Sequence, residues 1–299
     1  MRIFKSGKYR KVKGKNAAQI KILTLPTMLK LLFFCFLVSI SLCHCSKNEA
    51  SPPSYIKIKE IELKTNYNAQ GSKSAKITDA WIYINEQFVG AFELPCDIPV
   101  SNEGEVKISI AGGIKNSGQA NIREKYVFYS WYDTTFTLQQ EQHVVSPSIK
   151  YLASSNFLYI NDFENSSTNL VSANNSDTSI YISNNAFEGS KCAEITVNST
   201  NKLGKVQCNL NFTAPSSGKR VFLEMNYTCN APLIVGSIVG SNSTPIITLS
   251  STQMKWNKIY IDLTKTLNQG KFEFYFEIQQ ISGEENTARF DNIKIIAQK

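Results

Sequence analysis

The chain has 299 residues, seven Cys and a formal net charge of +8, a balance that by itself points to nucleic acid or an acidic membrane as partner. The distribution of charge removes that reading. Nine of the 32 basic residues and none of the 24 acidic ones lie in residues 1–44, so the remainder carries 23 against 24, and nucleic-acid binding loses its support.

Residues 1–27 are basic and precede a segment, residues 28–44, that is complete as a signal peptide on its own. Two readings of 1–27 are open, an extended basic leader or a start codon assigned upstream of Met28, and the second is preferred. The apolar run from Leu29 to Cys45 is too short for a bilayer, which needs about 20 apolar residues. Lys30 before it and small or polar residues after it make a secretory signal. Leu42, three positions before Cys45 and followed by Ser46-Lys47-Asn48-Glu49, resembles the lipobox of bacterial lipoproteins. The resemblance implies cleavage before Cys45 and a lipid on its thiol, diacylglycerol with acyl chains such as palmitate; Cys43, preceded by the bulky Leu42, is the weaker candidate. A metal site built on Cys43-His44-Cys45 fails, because cleavage removes two of its three residues. The polar stretch after Cys45 and "ASPPS" are similar to lipoproteins of the Bacteroidota. That implies a cell-envelope protein anchored to a membrane by lipid, on the outer membrane, facing either the periplasm or the surface. Residues 45–53 read as an extended linker.

Four further thiols remain, Cys96, Cys192, Cys208 and Cys229. An exported protein can oxidise them. In "CAEITV" the apolar face is Ala193, Ile195 and Val197, so Cys192 points away from it; in "VQCNLNF" Cys208 lies on the apolar face. Residues paired across a hairpin share a side, so free thiols are expected.

From residue 54 onward, short runs of period-2 alternation are separated by Gly, Asn, Ser and Pro, which predicts an all-β protein. A first unit, 54–147, carries strands at "YIKIKEIEL", "AWIYINEQFVG", "EVKISIAGGI" and "YDTTFTLQ". Its centre, a strand, the polar turn Asn85-Glu86-Gln87, then Gly90 and Pro95, resembles PEGA-like domains, with Glu86 where that family has Gly. The resemblance implies a small β-sandwich without catalysis, and the length also suits an immunoglobulin-like sandwich. Residues 148–156 read as a connector. The second unit, 157–299, holds ten candidate strands and reads as a jelly-roll sandwich. In "KFEFYFEIQ", Phe272, Phe274, Phe276 and Ile278 face the core and Lys271, Glu273, Tyr275 and Glu277 face away. "NDFENS", "NNAFEGSKCAEI", "MKWNKIYIDLT" and "ARFDNIKI", in this order, resemble galactose-binding-like jelly rolls, the fold of many carbohydrate-binding modules.

Catalysis finds no support. His143 is the one His outside the leader, no G-x-S-x-G elbow is present and no carboxylate pair stands out, so an enzyme is not expected. The jelly-roll resemblance implies a structural Ca²⁺ held by Glu164 and Asp291; no other cofactor is required. It also implies a sugar platform. Alternation puts Trp256, Lys258 and Tyr260 on the strand face opposite Ile259, Ile261 and Leu263, and Trp81 and Tyr83 raise the same question opposite Ala80, Ile82 and Ile84. The aromatic run "YVFYSWYD" at 126–133 reads as a domain interface. The combined expectation is a non-catalytic, lipid-anchored envelope protein that binds a polysaccharide or an envelope component. The alternative is a structural or interaction subunit of a surface assembly.

Overall fold

In the computed structural model, described for residues 25–42, 53–102, 104–139, 142–267, 270–281 and 283–299, the chain forms two compact units, residues 1–51 and residues 52–299. Cys45 and most of the 45–53 linker lie outside the described residues. In the first unit, α1 (Leu25–Leu42) is apolar, with its described side chains, Met28–Leu37, exposed. Among the described residues no helix is long and apolar enough to cross a membrane.

The second unit is all-β. Its first half comprises β1 (Ser54–Ile58), β2 (Glu62–Lys64), a single helical turn α2 (Tyr67–Gln70), β3 (Asp79–Ile84), β4 (Gln87–Glu93), β5 (Cys96–Val100), β6 (Gly104–Lys115), β7 (Arg123–Lys125), β8 (Tyr132–Leu138), β9 (Gln142–Val145) and β10 (Ser148–Lys150). One sheet runs β4-β3-β6-β7 with β8 also on β6; facing it are β5-β1-β9 and the pair β10-β2. β9 and β10 return parallel to β1 and β2. The inward-facing Ile56, Ile82, Ile98, Ile108 and Ile110 are fully buried between the sheets. The β3–β4 hairpin turns on Asn85 and Glu86, both at positive φ (48° and 67°). This is the geometry of the two-residue turns that match strand twist, and Glu86 tolerates it without being glycine.

The second half comprises β11 (Ser155–Asn161), β12 (Leu170–Ser172), β13 (Tyr181–Ser183), β14 (Cys192–Val197), β15 (Leu203–Cys208), β16 (Phe212–Thr213), β17 (Val221–Cys229), β18 (Leu233–Val239), β19 (Asn242–Leu249), β20 (Asn257–Asp262), β21 (Lys271–Gln279) and β22 (Asn286–Gln298). Two sheets face each other in a jelly-roll sandwich, β13-β14-β22-β17-β20 with β11 on β22, and β12-β15-β21-β18-β19 with β16 on β21. Phe272, Phe274, Phe276 and Ile278 fill the space between them, and Phe276 stacks on Phe290 across it at 4.2 Å. Cys96, Cys192, Cys208 and Cys229 are free thiols. β14 and β15 belong to opposite sheets instead of forming a hairpin, which separates Cys192 from Cys208.

The two halves share a buried boundary. Along β17, Val221, Leu223, Met225 and Tyr227 enter the jelly-roll core. The alternate residues Phe222, Glu224, Asn226 and Thr228 face the other way and are buried as well. Phe222, Tyr260 and Ile296 complete the core of the first half. Tyr126 packs edge-on against Phe222 at 5.2 Å and against Tyr260 at 4.9 Å. The 126–133 run is therefore interface at its first residues, with Tyr126, Phe128 and Tyr129 all buried. Arg220 adds an ion-pair clamp, reaching Asp262 at 2.6 Å and Glu124 of the first half at 3.1 Å.

Candidate functional site

The outer face of the first-half sheet carries a cluster of four aromatic side chains that solvent reaches. Ala80, Ile82 and Ile84 of β3 turn inward, so Trp81 and Tyr83 turn outward. On the neighbouring β6 the outward positions are small: Ser109, paired in register with Tyr83, Ala111, paired with Trp81, and Gly113. The rings lie down over these residues. A Cβ at Gly113 would come within 2.7 Å of the Trp81 indole nitrogen, so the absence of a side chain there is what lets the indole lie flat. Phe88 of β4 stacks on Trp81 with centroids 5.6 Å apart and an interplanar angle of 29°. Trp131 lies 4.9 Å from Tyr83 at 33°. Phe88 and Trp131 are 52% and 43% exposed.

Polar groups border this face. Lys125 Nζ donates to Tyr83 Oη at 3.0 Å and sits 4.9 Å from the Trp131 ring centroid and 5.8 Å from that of Trp81. Ser109 Oγ donates to Asp133. At the other end Asp79, buried, pairs with Arg123, whose second arm holds Glu93 at 3.1 Å. These hydrogen bonds hold the Glu93 carboxyl below the usual carboxylate range. Trp81 Nε1 is buried without an acceptor. The surface thus offers adjoining ring faces, Trp81 stacked on Phe88 and Tyr83 tilted against Phe88 and Trp131, with a cation, a carboxylate and hydroxyls at its margin. An exposed apolar patch with a polar rim marks an interaction site, and such rings suit the C–H faces of sugars.

The second-half residues expected to form a platform are dispersed. Trp256 precedes β20, half-buried, with Phe187 6.0 Å away edge-on. Lys258 and Tyr260 do share the strand face opposite the core, but the first half covers that face, leaving them 6% and 2% exposed. Tyr260 Oη meets Tyr129 Oη at 3.0 Å and accepts from the Lys76 amide at 2.9 Å. Lys258 Nζ faces the fully buried carboxylate of Glu224 at 3.4 Å. Neither is open enough to serve as a platform for a sugar ring. Trp256 keeps an accessible surface, on the rim of a cleft between the halves.

Around Glu224 the boundary is polar. Its carboxylate accepts from Tyr126 Oη at 2.8 Å and from Tyr151 Oη at 2.9 Å. Burial and this carboxylate push both phenols well above their ordinary range. Lys294, fully buried, donates to the Ser72 carbonyl at 2.6 Å and to Tyr151 Oη at 3.2 Å. Burial lowers Lys258, against the pull of Glu224, and brings Lys294 down to about 7. Two lysines near one carboxylate in a dry boundary share a single counter-charge, which disfavours charging both. Sequence reasoning missed this cluster. Its one signal was three ionisable residues within strands, Glu224 and Lys294 each flanked by apolar residues and Lys258 followed by one.

Glu164 and Asp291 meet the same segment from two sides. Glu164 Oε1 accepts from the amides of Ser190 and Lys191 at 2.8 and 2.9 Å, and Oε2 from Ser190 Oγ at 2.8 Å. Those amides hold Glu164 below its ordinary range. Asp291, fully buried, accepts from the amides of Phe187, Glu188 and Asn292 at 2.7–3.1 Å. Burial nonetheless raises it to about 6. What surrounds both carboxylates is N–H and O–H donors, whereas a calcium shell needs converging oxygen acceptors. The set does not fit a calcium ion; it clamps residues 187–191 in place. Among the described residues no group of three or more His, Cys, Asp or Glu side chains is placed to hold a metal. His143, on β9, packs against Phe136 at 5.1 Å, and its Nε2 accepts from the Gln139 amide at 3.4 Å.

No family model matches the chain, and no curated protein does. Among solved structures, a family 61 carbohydrate-binding module in complex with β-1,4-galactotriose matches at 10% identity over 47% of this chain and 97% of its own, with a TM-score of 0.34. A carbohydrate-binding module of the β-sandwich superfamily matches at 13% over 73% and 84%, TM-score 0.30. The K3 cleaved adhesin domain of Lys-gingipain from Porphyromonas gingivalis matches at 12% over 48% and 98%, TM-score 0.34. At these identities and TM-scores none of them bears on what this chain binds.

Proposed function

We propose that this protein is a non-catalytic binding module for a glycan, tethered in the cell envelope by a lipid on Cys45. The observation that carries the reading is the outward face of Trp81, Tyr83, Phe88 and Trp131 laid over Ser109, Ala111 and Gly113. The rings are supported by a sheet, so little conformational freedom is lost when a sugar stacks on them. Lys125 and Asp133 stand where sugar hydroxyls would seek a donor and an acceptor.

The test is calorimetric titration of the purified full chain with a panel of neutral oligosaccharides, beside Trp131→Ala and Phe88→Ala. Both side chains are half-exposed, so the variants keep the fold. Truncating a central aromatic contact costs about 2 kcal/mol, which is roughly thirtyfold in affinity. Saturable binding weakened to that degree in either variant supports the proposal. Absence of binding across the panel, or binding indifferent to both variants, ends it.

A second reading, an interaction subunit of a surface assembly, is favoured by one feature. β4 is the edge strand of its sheet and exposes Phe88 and Val89. An open apolar edge can accept a strand from another protein. Co-purification with a defined partner, lost on Val89→Lys and accompanied by no sugar affinity, would select this reading.

A further inference from the structure

The cleft on whose rim Trp256 sits has a volume of about 640 Å³, within the range of small-ligand sites. Its walls come from both halves: Lys76, Thr78 and Lys115 from one, and Tyr227, residues 247–252 and residues 255–260 from the other. Four lysines line it, Lys76, Lys115, Lys255 and Lys258, and no Asp or Glu does. Two of the four are compensated elsewhere, Lys115 by Glu93 at 3.3 Å and Lys258 by Glu224 behind the wall. Lys76 and Lys255 have no carboxylate partner among the described residues. Lys76 Nζ donates to the neutral Asn257 Oδ1 at 2.6 Å. Partial burial and the neighbouring Lys115 both lower its proton affinity, as expected where positive charge is left unbalanced.

The rest of the lining is mixed: the hydroxyls of Thr78, Ser250, Ser251 and Thr252 stand beside Trp256 and Asn257, with Ile247, Leu249 and Ile259 supplying an apolar part. Inorganic anions need only the lysines. Hydroxyls and an amide opposite an indole are what a sugar ring uses. We propose that this cleft binds the acidic unit of a polysaccharide, a uronate whose carboxylate lies between Lys76 and Lys255 and whose ring rests on Trp256. The site is separate from the aromatic face of the first-half sheet and draws on none of its residues.

Trigalacturonate, galactotriose and inorganic sulfate are titrated into the full chain at low and high salt, with tryptophan emission and heat as readouts. Trp256 is one of three tryptophans; Trp81→Phe with Trp131→Phe leaves it as sole reporter. Trigalacturonate is expected to shift that emission saturably, and to bind at least tenfold more weakly at high salt, where exposed ion pairs are screened. Lys255→Gln, an exposed change that spares the fold, is expected to weaken binding about tenfold, and Lys76→Gln with Lys255→Gln more so. Trp131→Ala is expected to leave trigalacturonate binding unchanged, which separates this site from the neutral-glycan proposal whichever way that one falls. Galactotriose shifting the emission of Trp256, as sole reporter, at the same concentrations as trigalacturonate overturns the inference, as does undiminished trigalacturonate binding to the double lysine variant. Sulfate alone matching trigalacturonate overturns it too, since the site would then be an anion site without sugar recognition.

Discussion

Lys294→Met tests whether a lysine is held largely uncharged at the boundary of the two halves. Lys294 is fully buried, its amine bonded to the Ser72 carbonyl and Tyr151 Oη, with the Tyr151 ring 4.9 Å away. Burial brings its folded value from 10.5 to about 7. A depressed folded value means the unfolded chain binds the extra proton between about pH 7 and 10.5. The contribution of Lys294 to stability is therefore fully present above 10.5 and is lost as the pH falls toward 7. Between pH 7 and 9 the wild type should gain about 2 kcal/mol relative to Lys294→Met, since one unit of proton affinity is worth about 1.4 kcal/mol and the first unit is only partly realised. Methionine keeps the length and cannot titrate, so other groups largely cancel in the comparison. The assay is urea denaturation of both proteins at pH 7, 8 and 9, followed by far-UV circular dichroism. Parallel stability profiles would refute the reasoning, because they would mean Lys294 binds its proton equally well folded and unfolded.

Two further outcomes follow from local geometry. Glu86→Gly should raise stability by about 0.5 kcal/mol, read as a higher urea midpoint. The residue sits at φ 67°, where a side chain costs about 1 kcal/mol, and the 3.6 Å contact of Glu86 with Lys107 is a surface pair worth little. Part of the gain is returned because glycine is freer in the unfolded chain. Iodoacetamide mapping of the folded full chain by mass spectrometry should find Cys192, Cys208 and Cys229 unmodified and Cys96 slowly modified, with all four labelled in urea. The first three are buried, and burial raises the Cys192 and Cys208 thiols to about 11. Fast labelling of Cys208 in the folded protein would contradict its place in the core.

The all-β fold was legible because alternation survives wherever one strand face meets a core. All ten runs read in the second half are strands, and Phe272, Phe274, Phe276 and Ile278 point where their period places them. Short strands such as β5, β7 and β10 were not legible, being three to five residues long and defined by their partners more than by their own pattern. The same limit explains Lys258 and Tyr260. Period 2 states that they lie opposite the core, and it carries no information on what covers that opposite face. On β17 and β22 the covered face is written in residues that read as surface, Glu224 and Lys294, because the neighbouring half supplies phenols and a carbonyl to satisfy them. Trp81 and Tyr83 have an identical alternation signature and no covering half, so the two aromatic pairs become distinguishable only in three dimensions.

That boundary bears on whether the two halves act as separable modules. Glu224 belongs to β17 of the second half, yet the groups satisfying it include Tyr126 and Tyr151, which join the core of the first. If the first half unfolded alone, Glu224 and Lys294 would lose these partners while the apolar Phe222 and Ile296 became exposed. Each loss is unfavourable, so the halves should unfold together. Trp256→Phe leaves Trp81 and Trp131 reporting on the first half, and Trp81→Phe with Trp131→Phe leaves Trp256 reporting near the second. Urea transitions from the two reporters should coincide with each other and with far-UV circular dichroism. Glu224→Ala, which strands Lys258 and two phenols, should move both reporters together by about 3 kcal/mol. A shift in one reporter alone would show two independent domains joined by a weak contact. The cleft proposed to hold a uronate, whose walls come from both halves, would then lose its rigid frame.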